Sequence, residues 1–438
     1  MKKAALHNLG CKVNAYETEA MQQLLEDAGY EIVPFKEGAD VYVINTCSVT
    51  NVADKKSRQM LHRAKRMNPE AVVVAVGCYV QAAGEELKKD EAVDLIIGNN
   101  RKKELAEILG RFFEDHDQAK DVIDISASQE YETLHIKKIA DHTRAFLKVQ
   151  DGCNQFCSYC IIPYVRGRVR SRAMADVLSE AAELARQGYK EIVLTGIHLS
   201  SYGVDFNEET DCGLLALITA LDTIPGIDRI RLGSLEPRII TEEFAGKLAS
   251  LRTFCPHFHL SLQSGCDATL ARMNRHYTTE DYLSRCDILR KYFHNPAITT
   301  DVIVGFPGES EEEFLTTKEF LKKVHFYEMH IFKYSKREGT KAAVMEGQVP
   351  EQVKNRRSDE LLSLETELSE SYRRTFMQTE TQVLLEEKIE IGGVPYMMGH
   401  TKEYVKAAVP FREGLKNSIL QGSLTRMLTK EILYLQEN

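Results

Sequence analysis

Apolar and polar positions alternate along the chain in a repeating rhythm of short strand-like runs and longer helix-like stretches. Over residues 1 to about 125, apolar runs at 4–9, 41–45, 71–76 and 94–97 are separated by segments of helical period, among them 17–28, closed by Gly29. Strands alternating with helices predict an open parallel α/β sheet. A second series follows the polar stretch 114–132, which reads as a linker or irregular crossover. It predicts strands at 144–150, 191–195, 229–233, 257–262, 300–304 and 330–334, with helices such as 176–187 and 279–292 between them. Six strand–helix units over 138–349 suit an open, partial (β/α)6 barrel better than a closed eight-fold one. Pro350 introduces a charged helical stretch at 351–377, whose first part, 350–374, reads as a connector. The remainder, 375–438, breaks into short alternating runs at 381–385, 404–408 and 418–424 between Gly-bearing turns, the pattern of a small antiparallel β-barrel. The expected fold class is α/β with this all-β module at the end.

Composition narrows the class of molecule. The 438 residues allow two to four domains, and 43% hydrophobic with 28% charged residues is ordinary for a well-cored soluble protein. Lys plus Arg is 56 and Asp plus Glu is 65, for a net charge of −9, so any basic surface must be local. The stretch MKKAALHNLGCKV has no uninterrupted apolar core, which argues against a signal peptide, and no apolar run approaches the roughly 18 residues of a membrane span. Ten cysteines in that context argue for reduced thiols and metal binding, and for a cytoplasmic location.

Six of those cysteines fall into two sets. Cys153, Cys157 and Cys160 form a C-x3-C-x2-C array in DGCNQFCSYC, directly after the expected strand 144–150. Thiolates suit iron–sulfur clusters, zinc and Cu(I). A 4Fe–4S cluster normally takes four cysteines, so a loop offering three leaves one iron open. A zinc loop awaiting a distant ligand is the plain alternative, although zinc sites usually pair two C-x2-C knuckles and the chain has no second pair. Cys11, Cys47 and Cys78 each end one of the first three strands, and strand carboxyl ends line the crevice of an open parallel sheet. Three buried structural thiols would be the plain reading, cysteine being among the most buried residue types. Three at the same topological point favour a second three-cysteine cluster site. Cys212, Cys255, Cys266 and Cys286 read as structural thiols.

Two basic stretches stand out. The segment 55–66, KKSRQMLHRAKR, carries six Lys or Arg and no acid, with Asp54 as a candidate helix cap. Such a run is most often a solvated face; the missing acids strengthen the case for a phosphate contact without displacing that reading. Immediately after the cysteine array, Arg166, Arg168, Arg170 and Arg172 alternate in RGRVRSR, a spacing that suits gripping an anionic substrate because guanidinium binds carboxylate and phosphate bidentately. The loops after the six later strands, among them GIHLSSYG, SLEPR, QSGCD, GFPGES and SKREGT, carry the Gly, Pro and polar residues that a ligand rim requires. The C-terminal module has 7 Lys or Arg against 8 Asp or Glu from Thr375 on, so charge alone does not mark it as RNA-binding.

Taken together, these segments resemble the radical S-adenosylmethionine methylthiotransferases over essentially the whole chain. GCKVNAYETE, NTCSVT and AVGC resemble that family's N-terminal cluster domain, here 1–125. DGCNQFCSYCIIPYVRGRVRSR resembles its radical loop, HLSLQSGCDATLARMNRHY, TDVIVGFPGES and FKYSKREGT its downstream signature, and 375–438 its TRAM domain, which contacts substrate. The resemblance implies two 4Fe–4S clusters. One, on Cys153, Cys157 and Cys160, chelates S-adenosylmethionine for reductive cleavage to a 5′-deoxyadenosyl radical. The other, on Cys11, Cys47 and Cys78, carries the inserted sulfur, and a second S-adenosylmethionine gives the methyl group. It further implies cofactor contacts from Tyr159, Gly196, Ser234, Glu236, Gln263, Asp301 and Gly305. Within the family, GCKVNxxETE and NTCSVT look most like the branch that methylthiolates C2 of N6-threonylcarbamoyladenosine at position 37 of tRNA. Arg166 and Arg168, with Arg238 behind them, are then the candidate partners of the threonylcarbamoyl carboxylate. Related alternatives are the isopentenyladenosine tRNA branch and the ribosomal-protein aspartate branch. A non-catalytic iron–sulfur electron carrier or RNA-binding scaffold is the alternative of another class. The expected partners are tRNA, a flavodoxin- or ferredoxin-like electron donor and a sulfur donor, with no membrane.

Overall fold

The computed structural model describes residues 1–115, 122–128, 130–136, 143–206 and 213–437. The first 100 residues build a parallel sheet from β1 (Lys3–Asn8), β2 (Glu31–Ile32), β3 (Val41–Thr46), β4 (Val72–Gly77) and β5 (Leu95–Ile97), in the order β2-β1-β3-β4-β5. β3 and β4 are buried at every position, which is why they read as continuous apolar runs rather than alternating ones. The order reverses between β1 and β3, so a crevice opens at their carboxyl ends. Cys11 and Cys47 flank that crevice. Cys78 follows on the next strand.

Helix α1 (Lys12–Asp27) begins directly after Cys11, five residues earlier than the apolar pattern predicts. Its buried face includes Asn14 and Glu17, and these polar residues hide the period from a hydrophobicity reading. Helix α2 (Asn51–Met67) is capped by Thr50, whose hydroxyl accepts from the Ala53 amide at 3.1 Å. Asp54 is therefore not the cap; it sits in the first turn and accepts from the Ser48 hydroxyl at 2.9 Å. Helix α3 (Cys78–Leu87) starts on the third cysteine itself.

The middle of the chain forms the six expected parallel strands: β6 (Arg144–Asp151), β8 (Glu191–Gly196), β9 (Arg229–Leu232), β10 (His257–His259), β11 (Ala297–Val304) and β12 (Glu328–Lys333). An unexpected two-residue strand, β7 (Arg170–Ser171), pairs antiparallel with β6. β9 and β10 are joined only by single bridges, Leu235 with Leu260 and Ile230 with Phe254. One large apolar core, from Leu147 to Leu364, fills the space between this curved sheet and its helices. The helix Glu351–Arg374 ends three residues before the expected 377, and Lys318 and Lys333 tie it to the barrel through Glu360 and Glu351.

The last segment is a closed barrel of β13 (Glu380–Ile391), β14 (Val394–His400), β15 (Lys406–Pro410), β16 (Ile419–Met427) and β17 (Ile432–Glu437), in the order β13-β14-β15-β17-β16. It is not wholly antiparallel: β15 and β17 run parallel, as they must where the chain jumps β16 to close a five-stranded Greek key of the OB type. This barrel stoppers the far end of the six-stranded one. Arg229 donates to the His400 and Gln382 carbonyls at 2.8 Å each, and Arg231 to the Lys402 carbonyl at 2.9 Å. Tyr404 stacks between His257 and His400, with ring centroids 5.0 and 4.3 Å away. Among the described residues no helix is long and apolar enough to cross a membrane.

Candidate active site: two neighbouring cysteine triplets and a cavity

Cys153 follows a glycine that nothing else can replace. Gly152 has φ +72°, and a Cβ placed there would lie 1.8 Å from the Arg168 carbonyl oxygen. Its amide donates to the Asp151 carboxylate at 2.8 Å, and the Cys153 amide to the Gly167 carbonyl at 3.0 Å, so the loop folds back on RGRVRSR. Arg275 donates to the Cys157 sulfur at 3.2 Å, and the Cys160 amide donates to the Cys157 carbonyl at 3.0 Å. Burial pushes the Cys153 thiol up to about 11 and, with Cys157 beside it, the Cys160 thiol to about 12. Such thiols become ligands only when a strong positive centre takes their protons' place.

The other triplet converges between the first two sheets. Burial, then the neighbouring Cys78 and Cys11, push the Cys47 thiol up to about 11 against a backbone amide and Arg166, which pull it down. Cys78 packs against Ile161 and Val165, directly beyond Cys160, and takes a hydrogen bond from Arg166 Nε at 3.2 Å. The two triplets are therefore neighbours, and each has one arginine bonded to one sulfur. Zinc–sulfur bonds of about 2.3 Å would bring ligand sulfurs within about 4 Å of each other. Among the described residues the one set of three ligand groups that close, all within 4.8 Å, is His259, Asp301 and His330. Neither triplet is drawn in that tightly, which fits a cluster several ångströms across rather than a single zinc ion.

A cavity of about 340 Å³ lies against both loops. Val49 and Thr50, after Cys47, form one wall; Cys153, Cys157, Cys160 and Tyr159 form another, and Ser234, Glu236, Gln263 and Asp301 the rim of the strands. Five of the seven expected cofactor contacts are thus brought together. Gly196 and Gly305 are not. Gly196 packs against Gln150, and Gly305 lies under the Lys354 side chain with its amide held by Glu309 at 3.1 Å, so both glycines serve close packing. The apolar period missed three cavity residues. Arg275 sits in the quoted MNRHY segment and its sulfur contact has no sequence signature. His198, whose amide donates to Gln150 Oε1 at 2.7 Å, is pushed down to about 4 by burial and then by Arg275 and Arg238, so its ring is neutral near pH 7. Lys333 reaches the cavity from β12.

The arginine segment is not the anion grip that its spacing suggests. Arg166, Arg170 and Arg172 are buried, at 0, 1 and 0% exposure, and serve the chain itself. Arg172 pairs with Glu180 at 2.6 Å, Arg170 donates to the Arg166 carbonyl at 2.9 Å, and Arg166 binds Glu17 and Asp151. A substrate carboxylate does not reach a guanidinium already saturated in this way. Glu17, which sequence reasoning passed over, is the hub. It accepts from Arg166 at 2.6 Å, Lys148 at 2.7 Å and Lys102 at 3.3 Å. Burial alone would raise its pKa; Arg166, then Lys102 and Lys148, override burial and hold the carboxyl well below the usual range. Arg168 remains exposed, its guanidinium 4.6 Å over the Phe156 ring, and Arg238 is half exposed but paired with Glu236 at 2.9 Å. Of the four other cysteines, Cys255, Cys266 and Cys286 are buried and join no ligand set among the described residues, and Cys212 lies outside them.

Residues 3–98 match "Uncharacterized protein family UPF0004" and residues 147–321 match "Radical SAM superfamily". Over 428 residues the chain is 42% identical to "Threonylcarbamoyladenosine tRNA methylthiotransferase MtaB" of Bacillus subtilis, covering 97% of this chain and 94% of that protein. The chain belongs to the radical S-adenosylmethionine methylthiotransferase family. It is also 38% identical to "tRNA-2-methylthio-N(6)-dimethylallyladenosine synthase" of Acetivibrio thermocellus, over 88% of this chain and 81% of that one. In three dimensions it is similar to a radical S-adenosylmethionine methyltransferase, TsrM, from Kitasatospora setae, with a TM-score of 0.58 at 15% identity, covering 76% of this chain and 75% of that one, which supports the fold. As a radical S-adenosylmethionine methylthiotransferase it is an enzyme that uses two 4Fe–4S clusters and S-adenosylmethionine, and a cysteine triplet lining the cavity with a second one behind the wall of Val49 and Thr50 fits those groups.

Proposed function

We propose that the protein installs a methylthio group on C2 of N6-threonylcarbamoyladenosine at position 37 of tRNA. One observation carries the reaction: the loop after Cys47 and the three cysteines of the radical loop are walls of the same cavity. The nucleoside follows the relatives, the first three of which bear threonylcarbamoyladenosine in their names. Cys153, Cys157 and Cys160 hold one cluster and Cys11, Cys47 and Cys78 the other. When bound, the first cluster with S-adenosylmethionine supplies hydrogen abstraction from an unactivated C–H bond, and the second supplies the sulfur. The chain's own residues do the rest. Glu236 and Ser234 bind the cofactor's ribose hydroxyls, Gln263 and Tyr159 flank it, and Ile197, Leu235, Ile303 and Phe332 exclude water from the space between the loops. Neutral His198 offers a hydrogen bond without adding charge.

A local basic stripe supports tRNA as substrate despite the net negative charge. Lys55, Lys56, Arg63 and Arg66 are exposed on α2 and make no ion pair among the described residues. At 100° per residue they fall within one third of the helix circumference, and they run about 16 Å along the helix, beginning about 8 Å from the cavity rim at Thr50. Phosphates along that line would place a nucleotide at the cavity mouth. We assign residues 1–125 to sulfur delivery, 138–349 to radical generation, 350–374 to the connector and 375–438 to substrate binding. The reaction needs electrons and replacement sulfur, so a flavodoxin- or ferredoxin-like reductant and a sulfur donor are partners, and a tRNA substrate places the enzyme in the cytoplasm. Arg168, the exposed arginine beside the radical loop, is the cation for the threonylcarbamoyl carboxylate. Reconstituted enzyme should methylthiolate tRNA bearing the threonylcarbamoyl group and leave tRNA lacking it unmodified, read by mass analysis of nucleosides. Equal turnover on both would refute the assignment.

A further inference from the structure

On the inner face of the last three barrel strands, His259, Asp301 and His330 bring one donor atom each to within 4.8 Å of one another. The register dictates this. β10 pairs His259 with Thr299, β11 pairs Asp301 with His330, and residues two apart on β11 share a face. The two imidazoles stack with centroids 5.7 Å apart.

One donor is oriented by a neighbour and the other two are uncommitted. His259 Nδ1 shares a hydrogen bond of 3.0 Å with the Thr299 hydroxyl, which leaves Nε2 facing Asp301 Oδ2 at 3.3 Å. That pair is at ion-pair distance but is not aligned as a hydrogen bond. Among the described residues, neither the Asp301 carboxylate nor the His330 ring makes any other hydrogen bond. A histidine–aspartate pair built to share a proton would aim its N–H at the carboxylate, and would have no use for a second imidazole stacked on the first. Two ligands of one ion behave otherwise. With metal–ligand bonds of about 2.1 Å, neighbouring donors stand about 3.0 Å apart on an octahedron and about 3.4 Å on a tetrahedron, bracketing the observed separation. A ligating histidine is usually held in orientation by a hydrogen bond on its far ring nitrogen, and the Thr299 hydroxyl supplies one here.

We propose that His259, Asp301 and His330 form a binding site for one divalent first-row transition ion, separate from both cysteine triplets. Two histidines and one carboxylate bind such an ion on one side and leave its other positions open. Asp301 also lines the cavity shared with the radical loop, so the open positions face that cavity and are available to an oxygen ligand entering it. Asp301 then acts through the ion rather than on the cofactor directly. The site does not depend on which adenosine is the substrate.

The test uses holoenzyme with both clusters loaded, confirmed by iron and sulfide content, titrated anaerobically with Co2+ as the probe. One equivalent should bind with ligand-field absorption and without the sulfur-to-cobalt charge-transfer bands that a vacant cysteine site would give. His330→Ala, an exposed position whose loss leaves the core packing intact, and Asp301→Asn should lose that equivalent while keeping both clusters. Absence of stoichiometric Co2+ binding to the parent, or its retention in His330→Ala, overturns the proposal.

Discussion

Arg166 donates its Nε–H to Cys78 at 3.2 Å while its terminal nitrogens are held at 2.6 Å by Glu17 and Asn14. The arginine comes from the segment after the radical loop; the cysteine and both acceptors come from the N-terminal sheet and its first helix. A fourth contact, to Asp151 at 3.2 Å, reaches the residue that holds the Gly152 amide. The geometry of one cysteine loop is thereby transmitted to the other through a single guanidinium.

Replacing that guanidinium should uncouple the sites. Arg166→Gln leaves Glu17 short of a partner in a buried network, a loss worth about 3–5 kcal/mol. After anaerobic reconstitution the variant should hold about four irons rather than eight, the radical-loop cluster being retained. Arg166→Lys keeps the charge and should recover stability, measured by denaturant unfolding, without recovering the Cys78 contact.

The two triplets should separate by product. With Cys11, Cys47 and Cys78 all replaced by Ala, reduced enzyme should still release 5′-deoxyadenosine from S-adenosylmethionine but give no methylthio product. With Cys153, Cys157 and Cys160 replaced, cleavage itself should vanish. Chromatography of the nucleoside products distinguishes the cases.

Gly152→Ala should be among the most damaging single-methyl changes. The added Cβ meets a backbone carbonyl, which cannot swing aside, at a φ that costs an L-residue about 1 kcal/mol or more. Iron bound to the radical loop should fall more than the thermal midpoint does, because the loop gives way first.

Acid should loosen the seat of the C-terminal barrel. Burial would raise the Glu191 pKa, but Arg231, Arg144 and Arg229 bring it down to about 2. A carboxylate depressed in the folded state stabilises above its unfolded value, near 4.3, and that stabilisation fades as pH falls from there through about 2. The full contribution is on the order of 3 kcal/mol. Unfolding monitored from pH 6 to pH 3 should show somewhat more than half of this loss in the parent and a flatter profile in Glu191→Gln, which starts less stable.

The α2 stripe should act on RNA affinity alone. Reversing Lys55, Lys56, Arg63 and Arg66 to Glu should weaken tRNA binding and flatten its dependence on salt, since fewer counterions are released. Cleavage of S-adenosylmethionine without tRNA should be unchanged.

Much of this was legible beforehand because the main signals are local. An apolar run ending in a cysteine announces itself, and so does a C-x3-C-x2-C loop after a strand. The six central strands read correctly for the same reason, and the helix expected at 279–292 is observed as Thr279–Tyr292. The failures share a cause. Alternating arginines reveal which residues face the same way, not what covers them. Glu17, which covers Arg166, arrives from α1, 149 residues away, and Glu180, which covers Arg172, from the next helix, whose packing the arginine spacing does not reveal. Arg229 and Arg231 are fully buried in β9 because carbonyls from the C-terminal barrel meet them, and β14 and β17, which help build that barrel, went unpredicted. Spacing also cannot tell a glycine on a cavity wall from one pressed against a lysine, as at Gly305.

The carbonyls of Gln382, His400 and Lys402 give the C-terminal barrel a debt it cannot leave behind. Cut away at residue 375, it would strand Arg229 and Arg231 in the floor of the catalytic barrel, two cations with one carboxylate between them. A shortened enzyme that fails to modify RNA would therefore report a collapsed floor as readily as a lost grip on substrate. Its contribution to recognition has to be probed by point changes on its outer surface, with the plug left in place.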